Sequence, residues 1–258
     1  MNEKDKPGTG GGLRGRVALV TGASGSIGAE VSRTLAARGA TVALHGRNAD
    51  ALESLAADIR HDGGVAFVYI GDVRDGSHLD TVVADVASNA GIIDIVIPLA
   101  GGDGRPSPTA TLEPERWRSV IETDLTSVFL TVHAVLPGMI GAGDGRIVTV
   151  ASSAGRRPSQ ANAAYAAAKA GIIMLTAHLA KEYAAAGIRA NCVAPAIIET
   201  ATLHETMPTA HFAALATHVP LGRIGQPTDV AEAIAFFASD TSSWITGTTL
   251  DITGGMTL

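Results

Sequence analysis

The chain has 258 residues, 46% of them hydrophobic and 17% charged, which suffices for one large α/β domain or two small ones with a buried core. A net charge of −6, with 19 basic residues scattered along the chain, leaves no stripe to follow a phosphate backbone and excludes nucleic acid as an expected partner. One cysteine, Cys192 in the apolar run IRANCVAP, allows no intrachain disulfide and reads as a buried structural thiol of a cytoplasmic protein.

The chain opens on a polar, Gly-rich stretch, MNEKDKPGTGGG (1–12), which lacks the apolar core of a signal peptide and reads as a disordered tail. No later run supplies the roughly 18 uncharged apolar residues of a membrane span, so no membrane is expected. Short β-branched or aliphatic runs then recur at 17–21, 41–45, 65–70, 94–99, 146–151, 188–194 and 248–252. Each reads as a strand. Stretches with helical apolar spacing lie between them, such as 29–39 and 229–240, and this alternation predicts a doubly wound parallel seven-stranded sheet with helices on both faces. Without repeats or linkers, residues 13–258 form one Rossmann domain. The segment 200–222 interrupts the rhythm and reads as a substrate lid.

Between the first strand and the first helix, LVTGASGSIGAEV (19–31) turns through Gly22, Gly25 and Gly28. Such a turn aims free N–H groups of a helix start at a pyrophosphate, or is merely a tight βα loop; its place in the first βαβ unit favours the dinucleotide. Farther on, ANAAYAAAKAGIIM is a strong helix former that sets Tyr165 and Lys169 one turn apart on one face. An ammonium beside a phenol favours phenolate and suits it to exchange a proton with an alcohol or ketone oxygen. An isolated Tyr-x-x-x-Lys is more often a solvated pair; the surroundings decide.

Those surroundings resemble the short-chain dehydrogenase/reductase family from about residue 15 to residue 256. The family turn Thr-Gly-x-x-x-Gly-x-Gly is matched by Thr21, Gly22 and Gly28, with Ser26 at the middle glycine. The resemblance makes Ser152, Tyr165 and Lys169 catalytic: Ser152 bonds the substrate oxygen, Tyr165 gives its proton during reduction, and Lys169 holds the nicotinamide ribose. Asp124 stands where the family has an asparagine that completes a tetrad. Only Ala100 and Gly101 survive of the family's Asn-Asn-Ala-Gly, in PLAG (98–101). The cofactor-binding set implied by the resemblance is Gly22, Ser24, Ser26, Ile27, Gly28, Arg47, Asp72, Val73, Ala100, Gly101, Tyr165, Lys169, Pro195, Ile198 and Thr200. Asp72 serves the adenine side; Ile198 and Thr200 face the nicotinamide carboxamide.

Gly46, at the end of the second strand, occupies the place of the acid that binds an NAD ribose, and Arg47 follows it. A guanidinium there suits a 2′-phosphate, so NADP(H) is preferred, with NAD(H) possible. His204, His211 and His218 recur every seven residues, wide of a helical i, i+4 ligand pair, and no catalytic metal is expected. Ala154, the 101–108 loop, Met207 and Phe212 suggest a partly apolar substrate pocket. The expected activity is NADP(H)-dependent reduction of a small-molecule ketone or other carbonyl to a secondary alcohol. The alternatives are a 3-oxoacyl reductase acting on carrier-protein substrates and, in another class, a cofactor-sensing binding protein without turnover. The tyrosine helix and the helix at 113–137 would form a dimer surface, and the family default is a homotetramer.

Overall fold

A computed structural model describes residues 12–206 and 210–257. The expected tail, up to residue 11, and Met207 lie outside the described residues. Seven strands form one parallel sheet: β1 (Val17–Thr21), β2 (Thr41–Gly46), β3 (Val65–Ile70), β4 (Ile95–Pro98), β5 (Gly145–Val150), β6 (Ile188–Pro195) and β7 (Thr249–Ile252). Their order is β3-β2-β1-β4-β5-β6-β7. Strand apolarity without alternation has its reason here, because both faces are covered. In β1, Ala18 and Val20 join the core under α1 (Ser26–Ala37), α2 (Ala49–His61) and α9 (Pro227–Ala238), while Val17 and Leu19 join the opposite core. That second face is covered by α3 (Gly76–Asn89), α5 (Ser127–Ala142) and α6 (Ala163–Tyr183).

The stretch expected as one helix at 113–137 is divided. It runs as α4 (Pro114–Ile121), a π turn (Glu122–Thr126) and α5, which ends at left-handed Gly143. The insertion carries Asp124 inward to 1% exposure. By length and composition, the 114–142 and 163–186 helical stretches pass as membrane spans, against the expectation from uncharged runs. Both pack on the sheet: Val128, Val132, Val135 and Met139 of α5 and Ile172 and Leu179 of α6 are core residues. The 200–222 segment contains two short helices, α7 (Ala201–Thr206) and α8 (Ala210–Ala216).

Strand order reverses between β1 and β4, where Thr21 pairs with Pro98. The chains leaving these two strands diverge to opposite faces and open a crevice at their carboxyl ends.

Candidate active site

The glycine turn forms one wall of that crevice. Gly22 has φ +69, and a Cβ there would lie 2.8 Å from the Ala100 nitrogen; one at Gly28 would lie 2.2 Å from the Gly22 carbonyl oxygen. Both positions therefore require glycine. Gly25 caps α1 without a side-chain bond, which leaves the first N–H groups of the helix open toward the crevice. Ser26 takes its place beside them, and its Oγ accepts a bond from the Ala201 N–H at 3.0 Å, tying the start of α7 to the turn.

A continuous cleft of about 750 Å³ runs from this turn across the sheet edge. At the adenine end it is lined by Arg47, Asp72, Val73 and Arg74, in the middle by Ala100 and Gly101, and at the far end by Ser152, Tyr165, Lys169, Pro195, Ile198 and Thr200. Gly22, Ser24, Ser26, Ile27 and Gly28 line it as well. The sequence-predicted cofactor residues are thus brought together, while Asp124 stands behind Lys169, outside the lining. A cradle that admits no Cβ, open helix N–H groups and a trough of this length fit an extended dinucleotide.

Arg74 was missed in the sequence. It binds Asp72 through Nε at 3.0 Å and through its backbone N–H at 3.0 Å, and its guanidinium holds the Asp72 carboxyl down to about 2. Arg47 makes no hydrogen bond or ion pair among the described residues and keeps its guanidinium available. A side chain at Gly46 would meet Ser24 Oγ at 3.2 Å, which crowds any acid there.

At the far end, α6 begins at Asn162, whose Oδ1 accepts from the Tyr165 N–H at 2.9 Å. Lys169 is 6% exposed; its Nζ donates to the Val150 carbonyl at 3.3 Å, pairs with Asp124 Oδ1 at 3.3 Å and lies 5.4 Å from the Tyr165 ring centroid. An ammonium has three N–H donors, so one remains for the cleft. Asp124 Oδ1 also accepts from the Gly102 N–H at 2.7 Å, whereas its buried Oδ2 has no hydrogen-bond partner among the described residues. Gly101 sits with φ +125, and a Cβ there would be 2.6 Å from Asp124 Oδ1. Ser152, extended at φ −160, accepts from the Ala154 N–H at 3.2 Å, and its own O–H is free to donate.

Two expected pocket residues are elsewhere. Phe212 is 9% exposed and packs edge-on against His204 at 4.6 Å, and Ala154, in the short turn after β5, is buried; neither lines the cleft. His204 bonds Glu199 at 2.9 Å, and His218 Nδ1 meets the Ala214 carbonyl at 2.9 Å, so these histidines brace the segment itself. Among the described residues no group of three or more potential ligands could hold a metal.

A parallel sheet with this cleft at its switch point, and Ser152, Tyr165 and Lys169 gathered at one end of it, is the architecture of a dinucleotide-binding enzyme of the α/β class. A family model described as enoyl-(acyl carrier protein) reductase matches residues 22–257. The cis-4-hydroxycyclohexanecarboxylate dehydrogenase of Sinomonas cyclohexanicum is 40% identical over 242 residues, covering 94% of this chain and 96% of the relative. The 3-oxoacyl-[acyl-carrier-protein] reductase of Escherichia coli (strain K12) is 37% identical over 244 residues, covering 95% and 98%. A solved gluconate 5-dehydrogenase from Burkholderia cenocepacia, in complex with NADP and tartrate, has TM-score 0.89 and 32% identity over 96% of this chain and 97% of that one. The chain belongs to the short-chain dehydrogenase/reductase family and is an NAD(P)-dependent oxidoreductase.

Proposed function

We propose that the enzyme interconverts a small-molecule ketone or other carbonyl with a secondary alcohol, preferring NADP(H). The observation that carries this reading is the meeting of Ser152, Tyr165 and Lys169 at one end of a cleft whose other end is Arg47. When bound, a reduced nicotinamide supplies hydride to the carbonyl carbon. Ser152 O–H donates a hydrogen bond to the carbonyl oxygen and polarises it. Tyr165 transfers its phenolic proton to that oxygen as charge develops there. The Lys169 ammonium, fixed by Val150 and Asp124, stabilises the phenolate left behind and offers its remaining N–H to a ribose hydroxyl. In the reverse direction Tyr165 takes the proton back.

The adenine end supports the cofactor preference: a 2′-phosphate finds the unpaired Arg47, and Gly46 presents no carboxylate to repel it. Likeness to the cyclohexanecarboxylate dehydrogenase supports a small-molecule alcohol. Likeness to the 3-oxoacyl reductase supports the carrier-protein alternative, yet the turn before β5 carries Asp144, committed to Arg16 and Arg146, and Ala184–Ala186 precede β6 without a basic group. A single, free cysteine, Cys192, supports a cytoplasmic setting. A homotetramer is supported by Trp117, Phe129, Ile140 and Met174, large apolar residues left exposed on α4, α5 and α6; light scattering at the mass of one or two chains would remove it.

NADPH oxidation across a panel of ketones and β-keto esters tests the activity. Tyr165→Phe should lower turnover by roughly 10²–10⁴ while cofactor affinity stays within twofold. Full turnover in that variant would sink the mechanism. Arg47→Ala should raise the Michaelis constant for NADPH about tenfold or more, the scale of a charge-assisted bond, and leave that for NADH nearly untouched. Equal weakening of both would remove Arg47 from the phosphate site.

A further inference from the structure

Asn162 is completely buried, and its amide oxygen and both of its amide N–H groups are hydrogen-bonded. Its Oδ1 caps α6 by accepting from the Tyr165 N–H, while Nδ2 donates to two carbonyls of the loop after β4, Asp103 O at 2.7 Å and Arg105 O at 3.1 Å. Between those carbonyls sits Gly104, against the face of the tyrosine: a Cβ there would lie 3.3 Å from Tyr165 Cδ1 and Cε1. Arg116 grips the same loop from outside, donating to Arg105 O at 3.0 Å and to the Asp103 carboxylate at 3.2 Å. The loop leaves β4 through Gly101 and Gly102, at φ +125 and +118, and the Gly102 N–H is held by Asp124.

Capping alone does not call for an asparagine. Aspartate and serine cap a helix as well, but neither offers an acceptor together with two amide donors. The extra donors reach only the loop that walls Tyr165. We infer that Asn162 is a positioning residue for substrate recognition: it locks the 102–105 loop to the first turn of the tyrosine helix, so that the wall beside the phenol and the phenol itself keep one spacing. This inference rests on Tyr165 being the acid–base group of the proposed carbonyl reaction. Asn162 acts through Gly104 and Tyr165 and touches no reacting atom.

Two variants separate the lock from the cap. Asn162→Ser keeps a capping oxygen and removes both loop bonds; Arg116→Gln loosens the loop from the other side and leaves the cap intact. In the cofactor-loaded enzyme, amide exchange read by mass spectrometry should quicken about tenfold at residues 101–106 in both variants, the scale of a lost hydrogen bond, while α6 stays protected. The Michaelis constant for the best ketone of the panel should rise about fivefold to fiftyfold, with the NADPH dissociation constant within twofold of wild type. Unchanged loop exchange overturns the inference, as does a loosened loop with an unchanged Michaelis constant for the ketone. Equal loss of protection in α6 and the loop of Asn162→Ser, with Arg116→Gln silent, also overturns it, because capping then explains everything. Should wild type oxidise NADPH with no carbonyl, the reaction assignment fails on its own, and the exchange data alone decide whether Asn162 locks the loop.

Discussion

Lys169 buries an ammonium against a carboxylate where the resembled family has an amide, and the exchange changes the balance at the site. Asp124 is 1% exposed, shares one oxygen between Lys169 and the Gly102 N–H, and leaves Oδ2 without a hydrogen-bond partner among the described residues. A buried pair costs more desolvation than an exposed one, but breaking it from one side is worse, since the remaining charge is left alone. Asp124→Asn keeps an oxygen for Gly102 and for Lys169, so the fold should hold and turnover should stay within about tenfold of wild type. Asp124→Ala strands the ammonium and should lose about 3–5 kcal/mol of stability in urea denaturation, with turnover falling alongside. Unaltered stability in the alanine variant would show that this carboxylate does not hold Lys169. The residue-level reading of the sequence was sharpest where chemistry is local: Tyr165 and Lys169 share a helix face, and Ser152 is a fixed step upstream. It missed Asn162 and Arg116, whose partners on the loop after β4 come from another part of the fold, and it passed over Arg74 although its partner Asp72 is only two residues away; it also placed Phe212 in the pocket although its contact is His204.

At the scale of elements, strands were legible to within a residue or so, because β-branched runs bounded by glycine and proline have few other uses in a sheet buried on both sides. The α4–α5 stretch was not. Residues 122–126, ETDLT, carry no glycine or proline to break a helix, and nothing local announces a π turn; the extra residue belongs to the docking of Asp124 against Gly102 and Lys169, contacts fixed only in three dimensions. The glycine turn and the 200–222 segment illustrate the same divide. The sequence marked Ser26 as a departure from glycine, whereas its hydroxyl is the acceptor for the first amide of α7, so the turn and the 200–222 segment meet through one side chain. A serine so held still has its proton for a phosphate oxygen. Ser26→Gly restores the family residue without steric cost and should free the segment: amides of 201–206 are expected to exchange faster, and the Michaelis constant for NADPH to rise roughly threefold to tenfold, the range of one hydrogen bond to a charged group. Identical exchange in variant and wild type would mean that the 3.0 Å contact does not restrain α7.

Over the whole molecule, charge is distributed to the two ends of the sheet in different ways. At the amino-terminal ends of the strands, Arg16 joins Asp94 and Asp144, and Arg146 joins Asp144 and Asp240, linking β1, β4, β5 and the turn after α9. Partners 78 and 128 residues apart in sequence explain why scattered single arginines gave no sign of this network. Near the adenine end the arrangement is the opposite. His45, on β2 between its sheet neighbours Thr21 and Tyr69, is fully buried, and neither ring nitrogen has a hydrogen-bond partner among the described residues. Its ring centroid lies 5.3 Å from that of His78, whose buried Nε2 is also unpartnered. Desolvation, then the neighbouring His78, push the His45 imidazole down to about 4 from its ordinary 6.5, against a small opposing pull from Asp72. The folded state therefore holds this histidine neutral, and the unfolded chain takes up the proton first as pH falls. Stability contributed at neutral pH is lost between pH 6.5 and about 4, a window set by the two values and separate from that of Asp72, which titrates near 2. Linkage puts the loss from this one group at about 2 kcal/mol between pH 7 and pH 5. Urea denaturation of the cofactor-free enzyme at these two pH values should show it, and His45→Leu, similar in volume and without a proton to gain, should show a correspondingly smaller drop whatever its stability at pH 7. Equal drops in wild type and variant would locate the acid sensitivity elsewhere and leave His45 as a packing residue of β2.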